Sequence, residues 1–244
     1  MIQYLQGVAP AHLAPWVECT WTLEGVAEGE TEVILPDGRI ELVVHHGARP
    51  KGQAASFVTG QLIAPLVIYP TGPMLTHGVR LRPEAAGAFL EMPADELTGH
   101  LVTLKTREPK VMPDAVIAHA VGLIERSAGR VRMDRVAGEV NLSLRHFDRR
   151  FLAAVGLQPK AFARIVRFQA ALAAYQSGDF PRWVDLALAC GFYDQAHLAN
   201  EFRQFAGISP TEFFRDPSAL ALLMADFSKT EGRKKIYYQD LCDF

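Results

Sequence analysis

Arg145, His146, Asp148, Arg149 and Arg150 lie on the polar side of a segment whose apolar residues, Leu144, Phe147, Phe151 and Val155, recur at spacings of three and four. That period predicts a single helix with one buried stripe. Arg145 and Arg149 are four residues apart, share a face, and repel by roughly a few tenths of a kcal/mol. A helix that had only to be soluble would sooner alternate its charge signs. Stacked guanidinium forks instead suit an external polyanion, because each can bond a phosphate or the O6/N7 edge of guanine in bidentate fashion. The competing reading is a solvated helix in which Asp148 offsets part of the charge.

Duplication decides between the two readings. The stretch from Asn141 to Phe162 recurs between Asp194 and Phe213: Phe151 and Phe202, Gly156 and Gly207, Pro159 and Pro210, and Phe162 and Phe213 are each 51 residues apart. Two copies are too few for a solenoid and describe one small helical unit used twice. In the first copy Met133 to Val140 reads as a short helix, Asn141-Leu142 as a turn, Ser143 as the N-cap of the arginine-bearing helix and Gly156 as its left-handed stop. In the second, Trp183 to Cys190 is the short helix, Gly191-Phe192-Tyr193 the turn, Asp194 the N-cap and Gly207 the stop. Leu198, Phe202 and Phe205 form its stripe. Ser209-Pro210-Thr211-Glu212 carries the signature of a capping box. A long helix, roughly Lys160 to Tyr175, joins the copies. This is helix-turn-helix grammar written twice.

Residues 131 to 215 resemble the paired helix-turn-helix domain of the AraC family of bacterial transcription regulators. In the first half the resemblance rests on Val136-Ala137, Leu142-Ser143, Phe147, Arg149, Phe151, Gly156, Pro159, Phe162, Arg164 and Arg167. In the second it rests on Leu186-Ala187, Gly191-Phe192, Asp194-Gln195, Leu198, Phe202, Gly207, Ser209-Pro210, Phe213 and Arg215. It implies two recognition helices, about 143–153 and 195–205, held about 34 Å apart so that both enter successive major grooves of double-stranded DNA. The implied DNA-binding residues are Arg145, His146, Asp148, Arg149 and Arg150 in the first copy and Gln195, Ala196, His197 and Asn200 in the second. Asn200 stands where the first copy has Arg149 and where family members usually carry Arg, so the second copy is expected to position more than it reads. The resemblance also brings RNA polymerase, a small-molecule effector and a second copy of the chain into the set of expected partners.

The first half reads as mostly β. Cys19–Leu23, Glu32–Leu35, Ile40–His45, Ser56–Gln61, Leu66–Tyr69 and Met74–Leu81 are strand-like runs punctuated by Gly and Pro. Asp37-Gly38, between the second and third of them, predicts a hairpin. Glu84–Glu91 and Ala94–His100 read as helical, and Asp114 caps a helix to about Ser127. Pro15-Trp16-Val17, Trp21, Leu35-Pro36-Asp37-Gly38, Gly60 and Gly78-Val79-Arg80-Leu81-Arg82-Pro83 resemble an uncharacterised amino-terminal domain that often precedes such helix-turn-helix pairs. In the wider family this position holds an effector-sensing or dimerising module, commonly a cupin-like barrel. The expected fold is therefore α+β and multidomain: a β-rich domain over 1–112, an all-α DNA-binding domain over 115–217 and a tail over 218–244 with Arg233-Lys234-Lys235.

Charge divides along the same line. Residues 1–114 hold 13 acidic and 8 Lys or Arg residues, whereas 115–217 hold 10 and 13, a basic footprint on one half of a chain of net charge −2. Cys19, Cys190 and Cys242 are far apart and odd in number, which argues against a disulfide framework or zinc site and suits a reducing cytoplasm. Neither a signal peptide nor a bilayer-spanning apolar run is expected. His45 and His46 are strand neighbours that point to opposite faces, and His77 has no partner at metal-site spacing, so no metal and no cofactor are expected. Arg80 and Arg82 share a strand face, either as a clamp for an anion or, more ordinarily, as a solvated pair. Trp16 and Trp21 are expected in the core. The rival to a DNA-binding regulator is a metal-dependent β-barrel enzyme with a helical appendage. No phosphate loop, Gly-x-Ser-x-Gly or carboxylate pair favours it, and the chain is read as no enzyme.

Overall fold

A computed structural model describes residues 2–26, 31–103, 108–178, 180 and 182–215. The tail read from the sequence, with its basic cluster, and Cys242 lie outside these residues. The β half contains β1 (Ile2–Val8), β2 (Val17–Gly25), β3 (Glu32–Ile34), β4 (Glu41–His45), β5 (Ser56–Thr59), β6 (Leu66–Ile68), β7 (Met74–Leu81) and β8 (Leu101–Val102). Six of them form one sheet in the order β1-β2-β7-β4-β5-β8, with every neighbouring pair antiparallel, and β3 pairs β6 as a separate ribbon.

Strand alternation sorts the large sheet into two buried faces. Val17, Leu42, Val58, Val79 and Leu81 pack against a helical annex that includes α1 (Ala86–Leu90) and two 3₁₀ turns, Pro83–Ala85 and Ala94–Leu97. Trp21, Leu23, Val43, Phe57 and Met74 point the other way, toward Ile34, Leu66 and Ile68 of the ribbon. Trp16 and Trp21 are both core residues, as expected.

Two expectations are corrected. Asp37-Gly38 makes a turn, with Gly38 at φ 78°, but not a hairpin. β4 already has β7 on one side and β5 on the other, so β3 pairs β6 instead. Pro36–Arg39 is thus a crossover from ribbon to sheet. Arg80 is no solvated residue: it is 1% exposed, its Nε 2.8 Å from Glu41 and its Nη2 3.5 Å from Asp37, while Arg82 alone stays at the surface and donates to the Ala14 carbonyl. Glu41 and Arg80 face each other across β4 and β7, which places the pair inside the sheet. β1 and β8 are strands that carried no readable signal, one half-exposed at a sheet edge and the other only two residues long.

The helical half runs α2 (Ala115–Arg126), α3 (Met133–Glu139), α4 (Leu144–Val155), α5 (Pro159–Gln176), α6 (Trp183–Ala189), α7 (Gln195–Ala206) and α8 (Pro210–Phe213). Phe147, Phe151, Phe162, Phe168, Phe202, Phe205 and Phe213 share one core, with Phe147–Phe151 and Phe168–Phe202 centroids 5.5 and 5.1 Å apart. Leu35 from the β half is buried in this same core.

Candidate nucleic-acid interface

Two three-helix units emerge, α2–α3–α4 and α5–α6–α7. The termini of the two long-stripe helices follow from local chemistry. The Ser143 hydroxyl accepts from the His146 N–H and the Asp194 carboxylate from the His197 N–H. Gly156 and Gly207 end them at φ 88° and 78°. The same bond closes each turn: the Leu142 N–H donates to the Ala137 carbonyl, and the Phe192 N–H to that of Ala187, both at 2.9 Å.

The turns differ by one residue. Val136-Ala137 and Leu186-Ala187 are offset by 50, whereas Ser143 and Asp194 are offset by 51. The second turn therefore holds an extra residue, Tyr193, which is 87% exposed at the mouth of α7. Sequence reading placed Tyr193 in the turn but missed its display. The change of offset was the signal that could have revealed it.

On α4, Arg145, His146 and Arg149 are exposed and Asp148 is half-exposed. Neither Arg145 nor Arg149 enters an ion pair among the described residues, so both guanidinium groups are available to an external anion. Arg150 is not. Its Nε and Nη2 hold the Asp114 carboxylate at 3.0 and 2.7 Å, and Asp114 is also the N-cap of α2, accepting from the Val116 N–H. Arg150 thus leaves the outward set and acts as a tie between α4 and α2. Leu144, expected in the stripe, is 48% exposed. As the first helical residue, it falls beyond the side that faces the core.

On α7, Gln195, Ala196 and Asn200 are exposed. Asn200 Oδ1 accepts from Arg203 Nη1 at 3.0 Å, so the nearest cation of this helix is turned onto its own neighbour. His197 is half-exposed and drawn inward: its Nδ1 accepts from the Tyr193 N–H at 3.3 Å and its ring meets the edge of Phe192. Glu201, which shares the register of Arg150, is buried and bonded bidentately by Arg164 of α5, at 2.7 Å from Nη2 and 3.1 Å from Nε.

Residues 136–216 match the model of a helix-turn-helix domain, and residues 7–103 match that of a domain of unknown function, DUF6597. Residues 136–216 belong to the AraC-type helix-turn-helix family. The HTH-type transcriptional regulator MtrA of Neisseria gonorrhoeae is 28% identical over 132 residues, 53% of this chain, and the match spans 40% of that relative's length. An AraC-type regulator from Chromobacterium violaceum shares 23% identity over 47% of this chain and 95% of its own, with a TM-score of 0.38. ToxT from Vibrio cholerae shares 8% over 88% of this chain and 97% of its own, with a TM-score of 0.44. The AraC-type domain here is not detached from the β half. The Gln61 side chain donates to the Val155 carbonyl at 2.8 Å, and the Thr98 hydroxyl to that of Gly156 at 2.5 Å. Two carbonyls that end α4 are therefore satisfied by the β half.

The histidines do not assemble a metal centre. His45 bonds Thr76 and Gln53, and the His46 ring lies tilted against that of His77 with centroids 4.7 Å apart. No group of three His, Cys, Asp or Glu side chains among the described residues could hold a metal ion. No helix among them is long and apolar enough to cross a membrane.

Proposed function

We propose that the protein is a sequence-specific DNA-binding regulator of transcription acting in the cytoplasm, and not an enzyme. In this reading α4 and α7 enter successive major grooves under control of the β half. The observation that carries it is the pair Arg145 and Arg149, unengaged on the outer face of a helix whose other basic residue, Arg150, is tied down. Unpaired arginines one turn apart at the start of a recognition helix suit base edges and phosphates. The second copy offers Gln195 for adenine N6/N7, and Tyr193 and Ala196 for thymine methyl groups. Domain limits of 1–112 and 115–217 fit this division, with the β half sensing an effector and RNA polymerase or a second copy of the chain as further partners.

Selection of bound duplexes from a random pool, followed by anisotropy titration of the selected site against a scrambled one, tests the reading. A consensus with two blocks about one helical turn apart is expected. Equal affinity for selected and scrambled DNA would overturn it.

A further inference from the structure

The two three-helix units meet at the joint between α2 and α3. Ala128 and Gly129 are both left-handed there, at φ 50° and 70°. The joint is laid directly on α5: a Cβ on Gly129 would run into the Ala163 carbonyl oxygen and stand 3.0 Å from the Arg167 backbone nitrogen. The next side chain, Arg130, leaves its own unit and crosses the turn of the second. Its Cδ and Cγ lie 2.7 and 2.8 Å from where a Cβ on Gly191 would be.

Arg167 of α5 touches both sides of this junction. Its Nη2 donates to the Gly129 carbonyl at 2.6 Å, and its guanidinium lies over the Phe192 ring, 5.7 Å from the centroid. Gly129 belongs to the joint that leads into α3, and Phe192 comes two residues before Asp194, the N-cap of α7. One planar group thus holds the entry to both helix-turn-helix units.

The position is unfavourable for a cation. Arg167 is half-buried and enters no ion pair among the described residues, and its buried Nε–H finds no acceptor among them. Burial, with Arg164 and Arg130 adding like charge, outweighs Glu201 and draws the guanidinium below its usual range. A Met or Leu side chain would fill the same space without that desolvation. What a guanidinium supplies and an apolar chain cannot is direction: a bond aimed at one carbonyl and a flat face on one ring.

We propose that Arg167 is a positioning residue that keys the first helix-turn-helix to the second, and so fixes how many base pairs separate the two DNA blocks that α4 and α7 occupy together. The inference rests on the DNA-binding reading and adds to it what sets the spacing. Packing of Phe151 on Phe162, centroids 5.6 Å apart, also holds α4 on α5, but apolar contact selects an angle less sharply than a directed bond does. One added or removed base pair moves the second block by about 3.4 Å and about 35° around the duplex. A firmly keyed pair therefore accepts one spacing, whereas a loosened pair accepts several.

Full-length wild type, Arg167→Met and Phe192→Leu are titrated by anisotropy with the selected duplex and with derivatives one base pair longer or shorter between the blocks. Wild type should lose about tenfold or more in affinity at either change. Arg167→Met keeps the side-chain length without the guanidinium. It should lose less than about threefold over the same change, with the salt dependence on the original duplex unaltered. Phe192→Leu removes only the ring face, should flatten the same profile, and decides the case should Arg167→Met not fold. Wild-type discrimination of spacing in the folded variants, or an equal loss at every spacing, would overturn the proposal. So would a shallower salt slope, which would make Arg167 a phosphate contact.

A measurement without DNA separates this inference from the reading it rests on. Spin labels on His146→Cys and Ala196→Cys, both exposed positions, report the distance between α4 and α7 by pulsed dipolar spectroscopy once the native cysteines are replaced by alanine. A single narrow distribution is expected, broadened by Arg167→Met; equal widths would overturn the key. The same broadening in a protein that binds no DNA would remove the regulator reading and leave the keying standing.

Discussion

Arg150 and Glu201 occupy the same position in the two copies, 51 residues apart, and carry opposite charges for the same task. Arg150 ties α4 to Asp114 at the head of α2, and Glu201 ties α7 to Arg164 on α5. The partners are offset by 50, so the repeat includes the helix before each helix-turn-helix and is a three-helix unit. A reversed ion pair keeps the geometry of a tie while changing both residue types, which hides it from any comparison of residue identity.

Arg150→Ala should therefore lower stability by about 1 kcal/mol, the loss expected of a half-exposed bidentate pair, and leave specific DNA affinity nearly unchanged. Arg149→Ala should do the reverse, costing about 1–3 kcal/mol of specific binding with little change in Tm. Thermal unfolding and anisotropy on the same two variants check this. An Arg150→Ala protein of unchanged Tm and weakened binding would return Arg150 to the interface.

The two copies should differ in how they read DNA. Arg145→Ala and Arg149→Ala are expected to reduce the salt dependence of binding where they touch phosphate, whereas Gln195→Ala should leave it unchanged. Asn200→Arg should tighten binding and steepen the salt slope. If Asn200→Ala or Gln195→Ala costs as much specificity as Arg149→Ala, the copies share the reading equally.

Tyr193 offers a direct test of the second copy. Replacing thymine by deoxyuridine under α7 removes only the 5-methyl groups. It should weaken the wild-type protein several-fold and the Tyr193→Ala variant much less, since the contact is already gone. Equal losses in both proteins would place the ring away from the bases.

Gly38→Ala should destabilise the protein by about 1–3 kcal/mol, from positive φ and the Phe162 ring together. A fragment starting at residue 113, which keeps the Asp114 cap and its pair with Arg150, should bind DNA yet unfold at a lower temperature than the full chain, because the Val155 and Gly156 carbonyls lose Gln61 and Thr98 and the helical core loses Leu35. Equal Tm for the AraC-type domain in both contexts would show that the docking contributes nothing.

His45 sets a pH dependence. Burial, followed by the nearby Arg49 and His46, outweighs the Gln53 hydrogen bond and holds its pKa below 6.5. The unfolded chain then binds the proton more readily than the folded one. Its contribution to stability is complete above 6.5 and is lost as pH falls through the depressed folded value. Tm measured at successively lower pH should drop less for His45→Gln than for wild type over that window, and parallel curves would assign the dependence elsewhere.

Whatever is encoded within a few residues was legible without coordinates. Ser143 and Asp194 as caps, Gly156 and Gly207 as left-handed stops, the capping box at Ser209 and Glu212, and the phenylalanine stripes all follow from short-range hydrogen bonding and a 3.6-residue period. The 51-residue repeat added the pairing of two helix-turn-helix units and with it the two outward faces. Partner choice was different. Asp-Gly dictates that the chain turns at Gly38, but strand pairing depends on which neighbours β4 already has. Arg80 carries the alternation of a half-exposed strand, and only the folded packing that brings Glu41 of β4 and Asp37 of the crossover to it makes it a buried, paired cation. Arg150 looks like Arg149 in the sequence, yet Asp114, 36 residues earlier, claims it. Long-range contacts decide these cases, because a charged side chain is satisfied by whichever partner the packing brings within 3 Å, and nothing in its own neighbourhood of the chain names that partner.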